Sequence, residues 1–162
     1  MILEILTEPN PVLRQKNRPV EPADFSDPKF KQSILNLIET MKSRDGVGMA
    51  APQAGMALRF CVIAKEYTED KIKDVVLINP VWTKKSILRA SDEEGCLSVP
   101  NVFGRVLRYK KIRVKAVDEN GKSVNFEAKN FLARIIQHEV DHLDGILFID
   151  KAKNLYRVDK KL

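Results

Sequence analysis

Residues 130–145 read Asn-Phe-Leu-Ala-Arg-Ile-Ile-Gln-His-Glu-Val-Asp-His-Leu-Asp-Gly. The pattern predicts one helix, with Asn130 as N-cap and Gly145 as its stop. Arg134, Gln137, Asp141 and Asp144 fall on one narrow polar stripe of that helix. Leu132, Ile136, Val140 and Leu143 form an apolar stripe, and Phe131, Ile135, His138 and His142 form another. A helix apolar over most of its circumference is buried in a core. A buried imidazole needs a hydrogen bond or a metal, because an unpaired polar group in a core is costly. The only two histidines of the chain stand in this helix, in His138-Glu139-Val140-Asp141-His142, the HExxH pattern. Residues four apart on a helix differ by about 40° around the axis, so both rings can reach one ion. Glu139 lies close enough to act on a water held there. The plain alternative is a helix with two surface histidines; their stacking on one buried face favours metal.

The third ligand is the next question. The run HEVDHLDGILF follows the metzincin protease pattern as far as Gly145, but Phe148 stands where that pattern needs a third histidine. A thermolysin-type site takes a downstream glutamate, and none follows His142. Asp144, Asp150 and Asp159 remain, the first two too near the motif for an easy approach from another element. An upstream ligand is the better expectation, and Cys96 in Glu93-Glu94-Gly95-Cys96-Leu97-Ser98-Val99-Pro100 supplies it. One thiolate and two imidazoles leave a fourth position open, as catalytic sites do, and suit Zn²⁺ or Fe²⁺. Cys61, within Phe60-Cys61-Val62-Ile63-Ala64, reads as part of a buried strand.

A third segment is Gly46-Val47-Gly48-Met49-Ala50-Ala51-Pro52-Gln53-Ala54-Gly55. Gly46 to Ala51 matches GxGxxA, but a dinucleotide loop must follow a strand and open a helix. Here a helical pattern precedes it (Phe30, Ile34, Leu37, Ile38, Met41) and Pro52 would interrupt a new helix. Small residues also let another backbone approach closely, which a bound peptide would need. Gln53 then offers an uncharged amide beside the site.

In their order and residues these segments resemble the peptide deformylases, whose members carry GxGxAAxQ, EGCLS and HExDH. The likeness runs from Pro9 to about Asp150. It implies removal of the formyl group from the N-terminal formyl-methionine of new polypeptides, with release of formate. It implies Cys96, His138 and His142 as ligands of one divalent metal per chain, natively Fe²⁺, with Zn²⁺, Ni²⁺ or Co²⁺ as alternatives. A water activated by that metal would be the nucleophile, with Glu139 as general base and acid. Gln53 and the Leu97 backbone N–H would hold the oxyanion. Gly46, Val47 and Gly48 would pair with the substrate backbone, and Val47, Phe131 and Ile135 would line a methionine pocket. Behind the ligands, Glu94 is expected to pair with Arg108, and Asp141 to steady Arg108 or a backbone group.

The rest of the chain fits a single catalytic domain over residues 1–162, ending in a short basic tail from about residue 151. A length of 162 residues, 44% hydrophobic and 31% charged, suits one soluble core. The expected fold is α+β, and the resemblance implies antiparallel sheets wrapped around the central helix that carries HExDH. A helix is expected over about residues 28–44 and a polar surface loop over Lys65 to Asp74. Val75 to Ile78 reads as a strand ended by Asn79-Pro80. Ile112, Val114 and Ala116 read as a strand that turns at Asn120-Gly121 into a return strand with Val124 and Phe126. Two cysteines give no disulfide framework, no run is apolar enough for a membrane, and the amino end shows no basic leader, so a cytoplasmic setting is expected, an organellar or viral source remaining open. The partners expected are N-formyl-methionyl peptides and nascent chains. Net charge is +6, with basic residues at Arg105 to Lys115 and after Asp150 (Lys151, Lys153, Arg157, Lys160, Lys161). That tail could be a helix that docks weakly to ribosomal RNA, a solvated basic face being the plainer reading.

Overall fold

A computed structural model describes residues 1–158. Asp159, Lys160 and Lys161 lie outside the described residues. In chain order the main elements are α1 (Pro28–Ser43), β1 (Gly48–Ala50), β2 (Phe60–Ile63), β3 (Val75–Lys84), β4 (Arg89–Cys96), β5 (Val99–Tyr109), β6 (Lys111–Val117), β7 (Ser123–Lys129), α2 (Asn130–Leu143) and β8 (Lys153–Arg157).

α1 begins where the Asp27 carboxylate accepts the Lys29 N–H at 2.8 Å and Pro28 pre-sets φ. Its Phe30, Ile34, Leu37 and Met41 recur at helical spacing and are buried. They pack with Met49, Phe60, Val62, Val76 and Ile78 on one face of an antiparallel sheet ordered β1-β2-β3-β6-β7. α2 packs on the other face, its Ala133, Ile136, Val140 and Leu143 against Cys61, Ile63, Leu77, Ile112 and Val114. Cys61 is thus a core residue, as its apolar run implied. A second sheet, ordered β4-β5-β8, covers a smaller core of Leu13, Val99, Val106, Leu147 and Phe148. The sequence pattern and the architecture agree on α+β, with antiparallel sheets around the HEVDH helix.

Three local readings are corrected. β3 does not end at Asn79-Pro80. The ladder to β6 slips between Ile78 and Val81 and resumes to Lys84. Asn79 takes φ +51° and bonds both the Val20 N–H and its carbonyl, so a bulge carries Pro80 through the strand. The N-cap of α2 is Lys129, not Asn130. β7 runs straight into α2, and Asn130 makes that corner with φ +50°, a left-handed position asparagine tolerates. On the polar stripe of α2, Arg134, Gln137 and Asp141 are buried and bonded to groups on β4 and β5. The basic tail is not helical where it is described. Lys153–Arg157 is β8, an edge strand paired with β5, in which Tyr156 lies opposite Phe103.

Gly145 does stop α2. At φ +75° its N–H reaches the His142 carbonyl and the next N–H, of Ile146, reaches Asp141, closing the last turn. A Cβ there would lie 2.6 Å from the Arg14 carbonyl oxygen. Gly145→Ala is therefore expected to cost about 2 kcal/mol or more, from left-handed strain plus the clash. Urea unfolding should show a lower midpoint with an unchanged m-value.

Candidate active site

α2 supplies His138 and His142, one turn apart, with ring centroids at 4.9 Å. β4 brings Cys96 to them at its last residue, where the ladder to β5 breaks between Gly95 and Cys96. Cys96 Sγ and one ring nitrogen of each histidine all lie within 4.8 Å of one another, and Sγ stands 3.2 Å from His142 Nε2. On a tetrahedral ion with S and N ligands at about 2.3 and 2.0 Å, those two atoms would be about 3.5 Å apart. Burial alone would raise the Cys96 thiol. The His142 and His138 imidazoles outweigh it and hold the thiol well below its ordinary value. That shift favours the thiolate, the form that binds metal. Donor type and spacing fit a divalent cation. Phe148, in the place where a metzincin has histidine, is buried and stacks on His138 at 6.3 Å.

The ligand helix is anchored through Glu94. Its carboxylate accepts His138 Nδ1 at 3.0 Å, Arg108 Nε and a second Arg108 nitrogen at 2.9 Å each, and Arg134 at 2.6 Å. Burial would raise this carboxyl, but Arg108 and His138 hold it well below the usual range. Arg108 also bonds Asp141 at 2.5 Å, and Asp141 takes Lys151 at 2.7 Å. The expected Glu94–Arg108–Asp141 contacts are present. Arg134 and Lys151 complete the cluster and were missed. An arginine on a helix buried nearly all round was the available signal, since it demands a buried anion.

Glu139 projects from α2 toward β1 and is 3% exposed. Burial, opposed by the neighbouring imidazoles, raises its carboxyl to about 7. One of its oxygens, Oε2, has no hydrogen-bond partner among the described residues. Gly48 lies against it: a Cβ there would sit 2.7 Å from Glu139 Oε1. Gln53 rides on the short turn Ala51–Ala54, where its Oε1 accepts the Ala50 N–H at 2.8 Å. That bond fixes the amide, so Nε2 points at Ser98 Oγ (3.2 Å) and Cys96 Sγ (3.5 Å). Leu97 follows Cys96 in the turn between β4 and β5.

These groups open on a groove of about 480 Å³. Gly46, Val47 and Gly48 line it, with Cys96 and Leu97, Phe131 and Ile135, His138 and Glu139. Ile135 is buried, whereas Phe131 is half exposed and touches Tyr67 edge-on at 5.4 Å. Every groove residue named from the sequence is therefore found there. Phe103, also on its lining, was not foreseen.

The polypeptide deformylase model matches residues 2–158. The peptide deformylase of Desulforudis audaxviator is 40% identical over 157 residues, covering 96% of this chain and 97% of its own. That of Stenotrophomonas maltophilia is 44% identical over 163 residues, 99% and 94% of the two chains. The crystal structure of peptide deformylase from Thermotoga maritima superposes with a TM-score of 0.86 at 38% identity, covering 94% of this chain and 99% of that one. With such likeness end to end, and the groove built from the three segments that carry the deformylase motifs, this chain belongs to the polypeptide deformylase family.

Proposed function

We propose that this chain hydrolyses the formyl amide of N-formyl-methionyl polypeptides and releases formate. Family membership supports the reaction. The observation that carries the residue roles is the convergence of Cys96, His138 and His142 beside a buried Glu139 poised near neutral pH. The ligand set is Cys96, His138 and His142, and the ion proposed is Fe²⁺, with Zn²⁺, Ni²⁺ and Co²⁺ acceptable to the same donors. When bound, the cation supplies Lewis acidity, which acidifies a water and polarises the formyl oxygen.

The chain's own groups do the rest. Glu139 accepts the water proton on a carboxylate oxygen and returns it to the leaving amine, a role suited to a carboxyl poised near 7. Gln53 Nε2, held by the Ala50 contact, donates to the oxygen that gains charge, and the Leu97 N–H is the second donor. Gly46 to Gly48 present backbone at the groove for strand-like pairing, and Val47, Phe131 and Ile135 take the methionine side chain. Glu94 orients His138 through Nδ1, and Arg108 and Asp141 fix Glu94 in turn. A reducing cytoplasm is proposed because Cys96 must stay unoxidised. Among the described residues no helix is long and apolar enough to cross a membrane. Weak docking to ribosomal RNA is proposed on charge alone, from exposed Lys153 and Arg157. Unchanged co-sedimentation at low salt after both become glutamate would reject it.

The test is formate release from formyl-Met-Ala, with protein purified without oxygen and loaded with Fe²⁺. Turnover is expected with the formyl peptide, not with acetyl-Met-Ala, and chelation should abolish it reversibly. Equal turnover of acetyl-Met-Ala would point instead to a general amidase. Gln53→Ala is expected to lower kcat by about 10²-fold or more with little change in KM, as loss of one oxyanion donor does.

A further inference from the structure

The two donors proposed for the oxyanion come from different sheets. Gln53 sits on the turn that follows β1 of the five-stranded sheet, and Leu97 on the turn between β4 and β5 of the three-stranded one. Strand ladders run within each sheet, and none joins the two among the described residues. Another contact must therefore set the distance between the donors. Gln53 Nε2 reaches Ser98 Oγ with one of its two hydrogens, but that bond runs through a rotatable side chain. The backbones of the two turns are tied by residues 3–8. The Leu6 N–H donates to the Gln53 carbonyl at 2.8 Å, and the Glu8 N–H donates to the Ser98 carbonyl at 2.8 Å. Two residues span at most about 7 Å of chain, so this strap holds Gln53 and the neighbour of Leu97 at a set separation. The strap is fixed at both ends. Upstream, the Leu3 N–H bonds Thr40 Oγ1 on α1 at 2.8 Å. Downstream, the Glu8 carboxylate accepts Arg14 at 3.0 Å, and Arg14 also bonds Asp150 at 2.5 Å. Leu6 packs on the core of Leu13, Val99 and Phe148, as Cys96 does. Gln53 and Ser98 are both buried, so their carbonyls depend on donors from the protein.

We propose that Leu6 and Glu8 are positioning residues for the reaction: through their backbone N–H groups they hold the two oxyanion donors, Gln53 Nε2 and the Leu97 N–H, at the separation the developing charge requires. This rests on the deformylase reading and adds to it a segment that lies outside the groove lining. The role belongs to the main chain; the Leu6 side chain packs and the Glu8 side chain pairs with Arg14. Oxyanion donors act only when they meet the charged oxygen at about 2.7–3.1 Å. A displacement of about 1 Å that begins far from the chemistry can lower the rate by about 10²-fold. The strap bears on a contact made in the transition state and not on the groove that binds the peptide. Its loss should therefore appear in kcat and leave KM alone.

The test removes the two N–H groups by Leu6→Pro and Glu8→Pro. Leu6→Ala and Glu8→Ala are the references, since alanine loses the same side chain and keeps the donor. On formyl-Met-Ala with the Fe²⁺-loaded full chain, kcat of each proline variant is expected about tenfold below its alanine reference, with KM unchanged. Leu3→Pro removes an N–H of the same strap, but one that bonds α1; against Leu3→Ala it should lower Tm and leave kcat as it is. In a Gln53→Ala background the Leu6 ratio should fall toward one, because the donor it places is gone, while the Glu8 ratio persists through Leu97. Leu6→Gly and Glu8→Gly keep the donor and free the backbone, and a kcat about threefold below the alanine references carries the test where a proline variant does not fold. Nitrogen-15 NMR of the Zn²⁺-loaded full chain reads the placement without chemistry. The Gln53 side-chain amide signals should move between Leu6→Ala and Leu6→Pro, and the Leu97 N–H signal between Glu8→Ala and Glu8→Pro. If no formyl peptide turns over, the deformylase reading fails while those signals still decide the strap. Equal kcat in the proline, glycine and alanine variants, a Leu6 ratio that survives the loss of Gln53, or unmoved amide signals would overturn the proposal.

Discussion

Glu139→Gln is expected to lower kcat for formyl-Met-Ala by about 10³-fold, within the range for loss of a general acid–base group. The amide keeps the carboxylate's shape, so Gly48 can still pack against it, but it cannot take up a proton. The three ligands remain, so metal content measured by atomic absorption should be unchanged. The same variant should melt higher than the native chain in metal-free protein at pH 8. Burial raises Glu139 from 4.5 to about 7, so folding disfavours its charged form. Stability tied to the neutral carboxyl is full below pH 4.5 and is lost as pH rises toward 7. The glutamine has no such loss, and the difference in Tm between variant and native should grow over that window and level off above it. A variant that keeps full kcat, or that loses its metal, would remove Glu139 from the role assigned to it.

Periodicity and local chemistry made the metal helix legible. His138 and His142 share a face because of their four-residue spacing, and no tertiary information is needed to see it. Gly48 was legible for a partial reason. Small residues there admit a close backbone, but the structure adds that the missing side chain leaves room for Glu139. What the sequence hid depends on register. Gly95, Phe103 and Tyr156 are eight and fifty-three residues apart along the chain and meet only because β4, β5 and β8 pair as they do. The β8 error has the same origin. Lys153–Arg157 has no strict alternation to mark it as a strand, and its conformation comes from the open edge of β5. The corner at Asn130 was misread because an asparagine before a helix signals a cap and a left-handed turn equally well; the absence of a loop after β7 decides between them.

Arg108→Met is expected to cost about 3–5 kcal/mol, because it leaves two buried carboxylates short of a partner. Arg108 is 4% exposed and bridges Glu94, which it grips through two nitrogens, and Asp141. Methionine is similar in length, so the effect is loss of charge rather than of volume. In a chain of this size that corresponds to a drop in Tm of about 10 °C. Arg134 and Lys151 still hold one carboxylate each, which keeps the effect from exceeding the range. The pH dependence has a definite sign. Glu94 is depressed on folding, so its contribution is present above its unfolded value near 4.5 and is lost as pH falls. The gap in stability between native and variant should therefore be widest near neutrality and narrow in acid. Glu94 also fixes His138 through Nδ1, so loosening it should weaken metal affinity by about 10- to 100-fold. A competitive chelator titration reads that directly, at a temperature where the variant is folded. If Arg108→Met destabilises the fold yet leaves metal affinity untouched, Glu94 holds His138 without help from Arg108, and the link from Asp141 to the metal site is broken at that step.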